Sequence, residues 1–266
     1  MDILEAMRQR RSTRAFDGRP LSAEHHAALA AFIASTSPPF GVSARIELIQ
    51  ADLGSERVRL GSYGSVRGAR DFMGLVHRDG PLAREGSAYW FEQVVLYCTS
   101  LGLGTVWLAG FTRSSFSRHV SLAPGESLNI ACPVGYPGGR KPLPERLHLM
   151  SSDKLHTTKK PFAELFLGPD FSGLTPDAAG DLELPLQLTR LAPSAINLQP
   201  YRVVVTPEAC HFHIVPNQHA HTDLGIALCH FEQTCLHQGI AGGYSVLSDI
   251  PSPPKTEYVI SFLRAA

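Results

Sequence analysis

Two stretches of this 266-residue chain read as long helices with almost no polar face, and each runs into a glycine. Ala88 to Leu101 (AYWFEQVVLYCTSL) is apolar nearly all round and meets Gly102-Leu-Gly-Thr; Leu224 to Gln238 is mostly apolar and meets Gly239. A helix without a polar stripe has to be surrounded by other elements. Glycine just past a helix end supplies φ > 0 without a Cβ penalty. Both helices carry Phe-Glu-Gln, at 91–93 and 231–233. Anchoring on that tripeptide leaves the two glycines three positions out of register, which reads as a diverged internal duplication.

The surroundings of each helix are strand-like. ARIELIQ (44–50) alternates and is β-branched, Phe72 to His77 is a short apolar run, and Asn129 to Val134 is closed by GYPGG. In the second half RVVVTPEACHFHIVP reads as a hairpin turning at Pro207 and Glu208, followed by strands at Ser245–Leu247 and Tyr258–Leu263. Helices are expected over 2–11, 24–34 and 114–120, and a short strand or turn over 105–109. The predicted fold is α+β, a mixed and mostly antiparallel sheet with surrounding helices, internally duplicated as a fused pseudo-dimer. The halves are expected at 1–150 and 151–266, together one compact unit.

Composition narrows the function classes. Lys plus Arg equals Asp plus Glu at 24 each, so bulk charge makes no case for nucleic acid or an acidic membrane surface. No apolar run reaches the roughly 18 residues of a membrane span. The start, MDILEAMRQRRS, is charged and lacks an apolar signal core, and the five cysteines form no CxxC pair. A cytoplasmic protein without a disulfide framework is the expectation. Cys229, His230, Cys235 and His237 cannot converge as four ligands on one helix, because adjacent positions point about 100° apart; no metal is expected.

Polar motifs carry the functional signal. RRSTRAF (Arg10 to Phe16), LGLGTVW (101–107), VGYP (134–137) and PSAINLQPYR (193–202) occur in that order. Together they resemble the nitroreductase family of FMN enzymes, and specifically its single-chain, duplicated branch. Tyr201 stands where the resemblance leads one to expect tryptophan. The early position corresponding to Pro-Ser-x-x-Asn holds SPPFGVS (37–43), with neither asparagine nor glutamine, while the second half has no RRSxR.

The resemblance implies one FMN per chain, lying between the halves. Arg10, Arg11, Ser12 and Arg14 would serve the phosphate, where guanidinium groups form charge-assisted and bidentate bonds. Gly104 and Thr105 would approach the ring, and Lys159, or its neighbour Lys160, would add a late basic contact. Pro193, Ser194 and Asn197 would reach the flavin from the second half, and Gln199 would support their turn. The implied activity is that of an FMN-dependent oxidoreductase passing hydride from NAD(P)H through flavin N5 to a small nitroaromatic or quinone-like acceptor. The chemistry would be carried by the cofactor rather than by a protein nucleophile. A monomer is expected. A flavin-binding sensor or carrier without turnover, and a non-flavin relic of the fold, are the alternatives. Phe40, Tyr63 and Arg67 are candidates for the acceptor side; Trp90, Phe91 and Tyr97 are read as core.

Overall fold

A computed structural model describes residues 1–50, 66–109, 119–141 and 158–265. The expected helix at 114–120 (all but its last two residues) and Tyr63 lie outside the described residues. The chain separates into two compact units, Met1–Thr157 and Thr158–Ala266. No described helix is long and apolar enough to cross a membrane.

The first unit begins with α1 (Ile3–Gln9), capped by the Asp2 carboxylate accepting from Glu5 N at 2.8 Å, and α2 (Ala23–Ser35), capped by Ser22. Such caps satisfy donors that the helix itself leaves unpaired. The strands β1 (Ala44–Gln50), β2 (Asp71–Arg78), β3 (Gly104–Thr105) and β4 (Glu126–Gly135) form a sheet of order β1-β2-β4-β3, antiparallel throughout. The long helix α3 (Ala83–Ser100) lies on one face of it. Phe91, Val94, Val95 and Cys98 from the helix pack with Met73, Leu75, Ile130 and Cys132 from the strands. Trp90 and Phe91 are core as expected; Tyr97 is half-buried and stacks on Phe32 with ring centroids 4.1 Å apart.

The second unit holds the one-turn helix α4 (Phe162–Leu165), β5 (Phe166–Leu167), α5 (Glu183–Leu191), the hairpin β6 (Tyr201–Val205) and β7 (Ala209–Ile214), α6 (Ala220–Gln238), β8 (Gly242–Ser245) and β9 (Glu257–Arg264). Its sheet order is β5-β6-β7-β9-β8, with β5 parallel to β6 and the rest antiparallel. Without β5, this is the strand order of the first sheet, with the long helix again between the second and third strands. In the core Phe231 meets Phe212 and Phe262 edge-on, each at 5.2 Å.

The correspondence extends to individual residues. The long helices start at Ala83 and Ala220. The pairing of β2 with β4 slips after Leu75, and that of β7 with β9 slips after Phe212. Both helices end in the same cap: Leu103 N donates to Cys98 O around Gly102, and Ile240 N to Cys235 O around Gly239, each at 2.9 Å. Both glycines have φ near +75°, the left-handed conformation this cap requires. One constant sequence offset relates Leu75 to Phe212, Ala83 to Ala220, Cys98 to Cys235 and Gly102 to Gly239. The equivalence therefore follows the helix ends. Phe-Glu-Gln falls outside that offset and is not the structural anchor.

One sequence expectation is corrected. Strand β8 spans Gly242–Ser245, not 245–247. His213 and Phe212 are both fully buried, and burial pushes the His213 imidazole down to about 4. Helix α5 has no counterpart among the elements expected from sequence.

Because Phe91 and Phe231 are each 0 % exposed, truncation to alanine opens a cavity in the unit that holds it. Phe91→Ala and Phe231→Ala are each expected to cost about 3–5 kcal/mol, measured as a lowered urea midpoint with little change in slope.

Candidate functional site

In the first unit, the chain leaves α1 and runs extended over residues 12–17, laid against the sheet. Thr13 N donates to Thr105 O at 2.8 Å, Asp17 N to Tyr136 O at 3.1 Å, and Gly138 N to Ala15 O at 3.0 Å. Residue 67 flanks the same segment, with Phe16 N donating to Arg67 O and Arg67 N to Arg14 O, both at 2.9 Å. The RRSTRAF, LGLGT and VGYP motifs, remote in sequence, are thus brought together around one extended strand.

Arg10 and Arg14 are buried, 5 % and 8 % exposed, while Arg11 and Ser12 are half-buried. The Arg11 guanidinium turns back to donate to Arg8 O at 2.7 Å and Arg10 O at 3.1 Å, closing the C-terminal end of α1. Arg10 is different. Its Nε and Nη1 are buried and have no hydrogen-bond partner among the described residues. Burial pushes its pKa down, opposed chiefly by the charge of Glu92 and reinforced by repulsion from Arg11 and Arg14. Glu92 is fully buried and accepts from Trp107 Nε1 at 2.9 Å. Guanidinium stays protonated, so buried N–H groups without acceptors carry a desolvation cost. An anion arriving at Arg10 would remove that cost. The phosphate of FMN, with three strong acceptor oxygens and close to two negative charges, fits this donor set.

Gly104 and Thr105 are buried. A Cβ on Gly104 would lie 2.6–2.7 Å from the Thr13 side chain. The glycine is required by the close approach of Thr13, a different reason from the ring contact its sequence suggests. Phe40 takes a left-handed φ of 65° in the 37–43 loop, with Tyr89 edge-on at 6.3 Å.

In the second unit the PSAINLQP stretch forms a tight turn. Ile196, Asn197 and Gln199 all have left-handed φ, at 44°, 60° and 46°. For a β-branched residue such as Ile196 this is an outlier, and each such residue costs on the order of 1–3 kcal/mol. The polar spacing supplies the compensation. Ser194 Oγ accepts from Gln199 N at 3.0 Å. The fully buried Gln199 side chain accepts from Lys160 N at 2.8 Å and donates to Arg190 O at 3.1 Å. Asn197 Nδ2 donates to Thr158 O at 2.7 Å, Arg190 Nε to Lys160 O at 2.6 Å, and Lys159 Nζ to Ala192 O at 3.0 Å. Pro193 and Pro200 bracket the turn, and Tyr201 Oη, fully buried, donates to Thr189 O at 2.9 Å. The basic segment 158–160 and the serine–asparagine turn are therefore one hydrogen-bonded body.

Two acidic residues were missed in the sequence. Glu92 had a signal, a carboxylate inside an otherwise apolar helix. Asp223, in the first turn of α6, had none. Both of its oxygens accept from Ala195 N, at 3.0 and 3.1 Å. Burial pushes it up to about 7, against the opposing effects of that bond and of Lys159. His230, which sequence placed in a possible cysteine–histidine cluster, bonds Leu188 O at 3.0 Å; among the described residues no group of three or more His, Cys, Asp or Glu could hold a metal ion.

Two α+β units that share a four-strand order, the first with a buried arginine just past its first helix, define a protein of nitroreductase-like fold. Residues 2–235 match the family described as "putative TM nitroreductase", and the chain belongs to that family. Among solved structures it resembles a putative nitroreductase of Thermotoga maritima, at 18 % identity and TM-score 0.64, covering 99 % of this chain and 94 % of that one. A nitroreductase family protein of Clostridium difficile is 19 % identical at TM-score 0.45, covering 62 % and 96 %. A nitroreductase with bound FMN from Desulfitobacterium hafniense is 16 % identical at TM-score 0.43, covering 53 % and 93 %. No curated protein matches.

The Gly104–Thr13 contact makes a testable claim. Gly104→Ala is expected to cost about 1–3 kcal/mol through overpacking. Thr13→Gly in that background should recover part of the loss, read as a coupling energy in a double-mutant cycle.

Proposed function

We propose that this protein is an FMN-dependent oxidoreductase that takes reducing equivalents from NAD(P)H and delivers them to a small nitroaromatic or quinone-like acceptor. The observation that carries this reading is the buried Arg10 guanidinium, whose Nε and Nη1 have no acceptor among the described residues. Membership of the nitroreductase family supports the choice of anion.

In this reading Arg10, with Arg11, Ser12 and Arg14 around it, holds the phosphate. Backbone N–H groups at Gly104 and Thr105 serve the ring. Lys159, Pro193, Ser194 and Asn197 are flavin residues of the second unit, kept in place by the strained turn. Bound FMN supplies hydride acceptance and donation at N5. The chain itself binds, orients and neutralises; no protein nucleophile is required. We further propose that the two units descend from a duplication, with divergence leaving one intact set of flavin residues, one FMN per chain and a monomer in solution. The common strand order and the constant sequence offset between matched positions support this.

Arg10→Ala removes charge-assisted donors worth about 1.5–3 kcal/mol, a weakening of roughly 10- to 150-fold in FMN affinity. Fluorescence titration of apoprotein with FMN measures it. Wild-type protein should be yellow and should bleach with NADH or NADPH under anaerobic conditions. Colourless protein that takes up no added FMN would overturn the proposal.

A further inference from the structure

We infer that Asp223, as a carboxylate, is the positioning residue that holds the Ser194–Gln199 turn in its binding form, so that flavin retention is linked to Asp223 ionisation. The inference rests on the flavin reading of that turn. Its geometry is direct: both carboxylate oxygens converge on the single N–H of Ala195, the residue between Ser194 and the strained Ile196. Ala195 N is thereby fixed from α6, while Thr158 and Lys160 fix Asn197 and Gln199 from the other side.

The first unit provides an internal control. The offset that relates Gly102 to Gly239 relates Gly86 to Asp223. A Cβ on Gly86 would lie 2.9 Å from Pro39 O and 2.8 Å from Val42 Cγ2, so the 37–43 loop rests directly on the glycine backbone. That loop stands before β1 as PSAINLQ stands before β6, and holds neither asparagine nor glutamine. Where the polar turn is intact the helix presents a carboxylate; where it has degenerated the helix presents no side chain at all.

Several charged or titratable groups bear on Asp223. Lys159 favours its ionised form, and Tyr201, which feels Asp223, also feels Arg190 and Arg202. The bond from Ala195 N also favours the ionised form. Burial outweighs these and places the titration near neutrality, at about 7. The folded value is thus raised above the unfolded one. The stability contribution of this group is then fully present below the unfolded value near 3.8 and is lost as pH rises through about 7. Retaining a buried carboxylate that weakens the fold at neutral pH suits a functional task. Protonation leaves a single acceptor oxygen and removes the charge, loosening the hold on Ala195.

Two pH profiles of opposite sign follow. On acidification from pH 8 to 6 the apoprotein should gain thermal stability, while FMN affinity falls by about 5-fold or more, within the usual range of linked effects. Asp223→Asn keeps one acceptor oxygen and should flatten both changes; comparison with this variant cancels the titration of the FMN phosphate itself, which lies near pH 6. Asp223→Ala should bind FMN more weakly than Asp223→Asn at every pH. The Ala195 amide resonance of the apoprotein, followed by NMR, should titrate near pH 7 in wild type and not in Asp223→Asn. Equal FMN profiles in wild type and Asp223→Asn would overturn the inference and leave the flavin reading intact. If FMN does not bind at all, the flavin reading fails. An Ala195 amide that titrates then upholds Asp223 as the holder of the turn, and one that does not titrate overturns it.

Discussion

Each unit is organised by a helix that cannot tolerate water. Helices α3 and α6 are buried over most of their length, and an antiparallel sheet with one face free is the economical partner for such a cylinder. The long helix follows the second strand, so the third strand starts from the far end of the helix. It takes the edge position, and the fourth strand inserts beside the second. The same solution appears twice, down to the slipped strand pair and the cysteine carbonyl that closes each helix. The candidate site hangs on this frame. In the first unit it sits where α1 gives way to a segment laid along β3 and the end of β4; in the second it sits in the turn that leads into β6.

Much of this was legible in the sequence because the dominant forces are periodic. Strand β1 is ARIELIQ from end to end, and the hairpin turn at 207–208 separates two runs of β-branched and aromatic residues. What escaped lacked a periodic or motif signal. Helix α5 carries Pro185 in its third position; a proline in the first turn has no intrahelical N–H bond to lose, yet it reads as a breaker. Strand β8 is Gly-Gly-Tyr-Ser, whose glycines conceal a strand defined only by pairing with β9.

The candidate site shows the same division. Residues within one motif could be chosen from spacing, as Arg10, Ser12, Arg14, Ser194 and Asn197 were. The roles of the fixed-spacing amides became clear only in three dimensions. Gln199 ties residues 160 and 190 to the turn, a service that depends on groups 9 and 39 positions away. Asp223 reaches back 28 positions to Ala195, and no local pattern encodes that contact.

The two sites also share an energetic logic. Arg10 is a buried cation with donors that the described residues leave unmet, and Asp223 is a buried anion whose ionised form weakens the fold at neutral pH. Both spend folding stability, as the strained φ values of Ile196, Asn197 and Gln199 do. A chain selected for stability alone would replace each of them: Arg10 by an apolar residue, Asp223 by asparagine, Ile196 by glycine. The 37–43 loop of the first unit shows what such an arrangement looks like. There Gly86 has no side chain to ionise, and the 37–43 loop closes over it with prolines and a glycine. In the second unit, strain and a buried carboxylate coincide at the Ser194–Gln199 turn; in the first, the buried charge lies instead at Arg10 and Glu92.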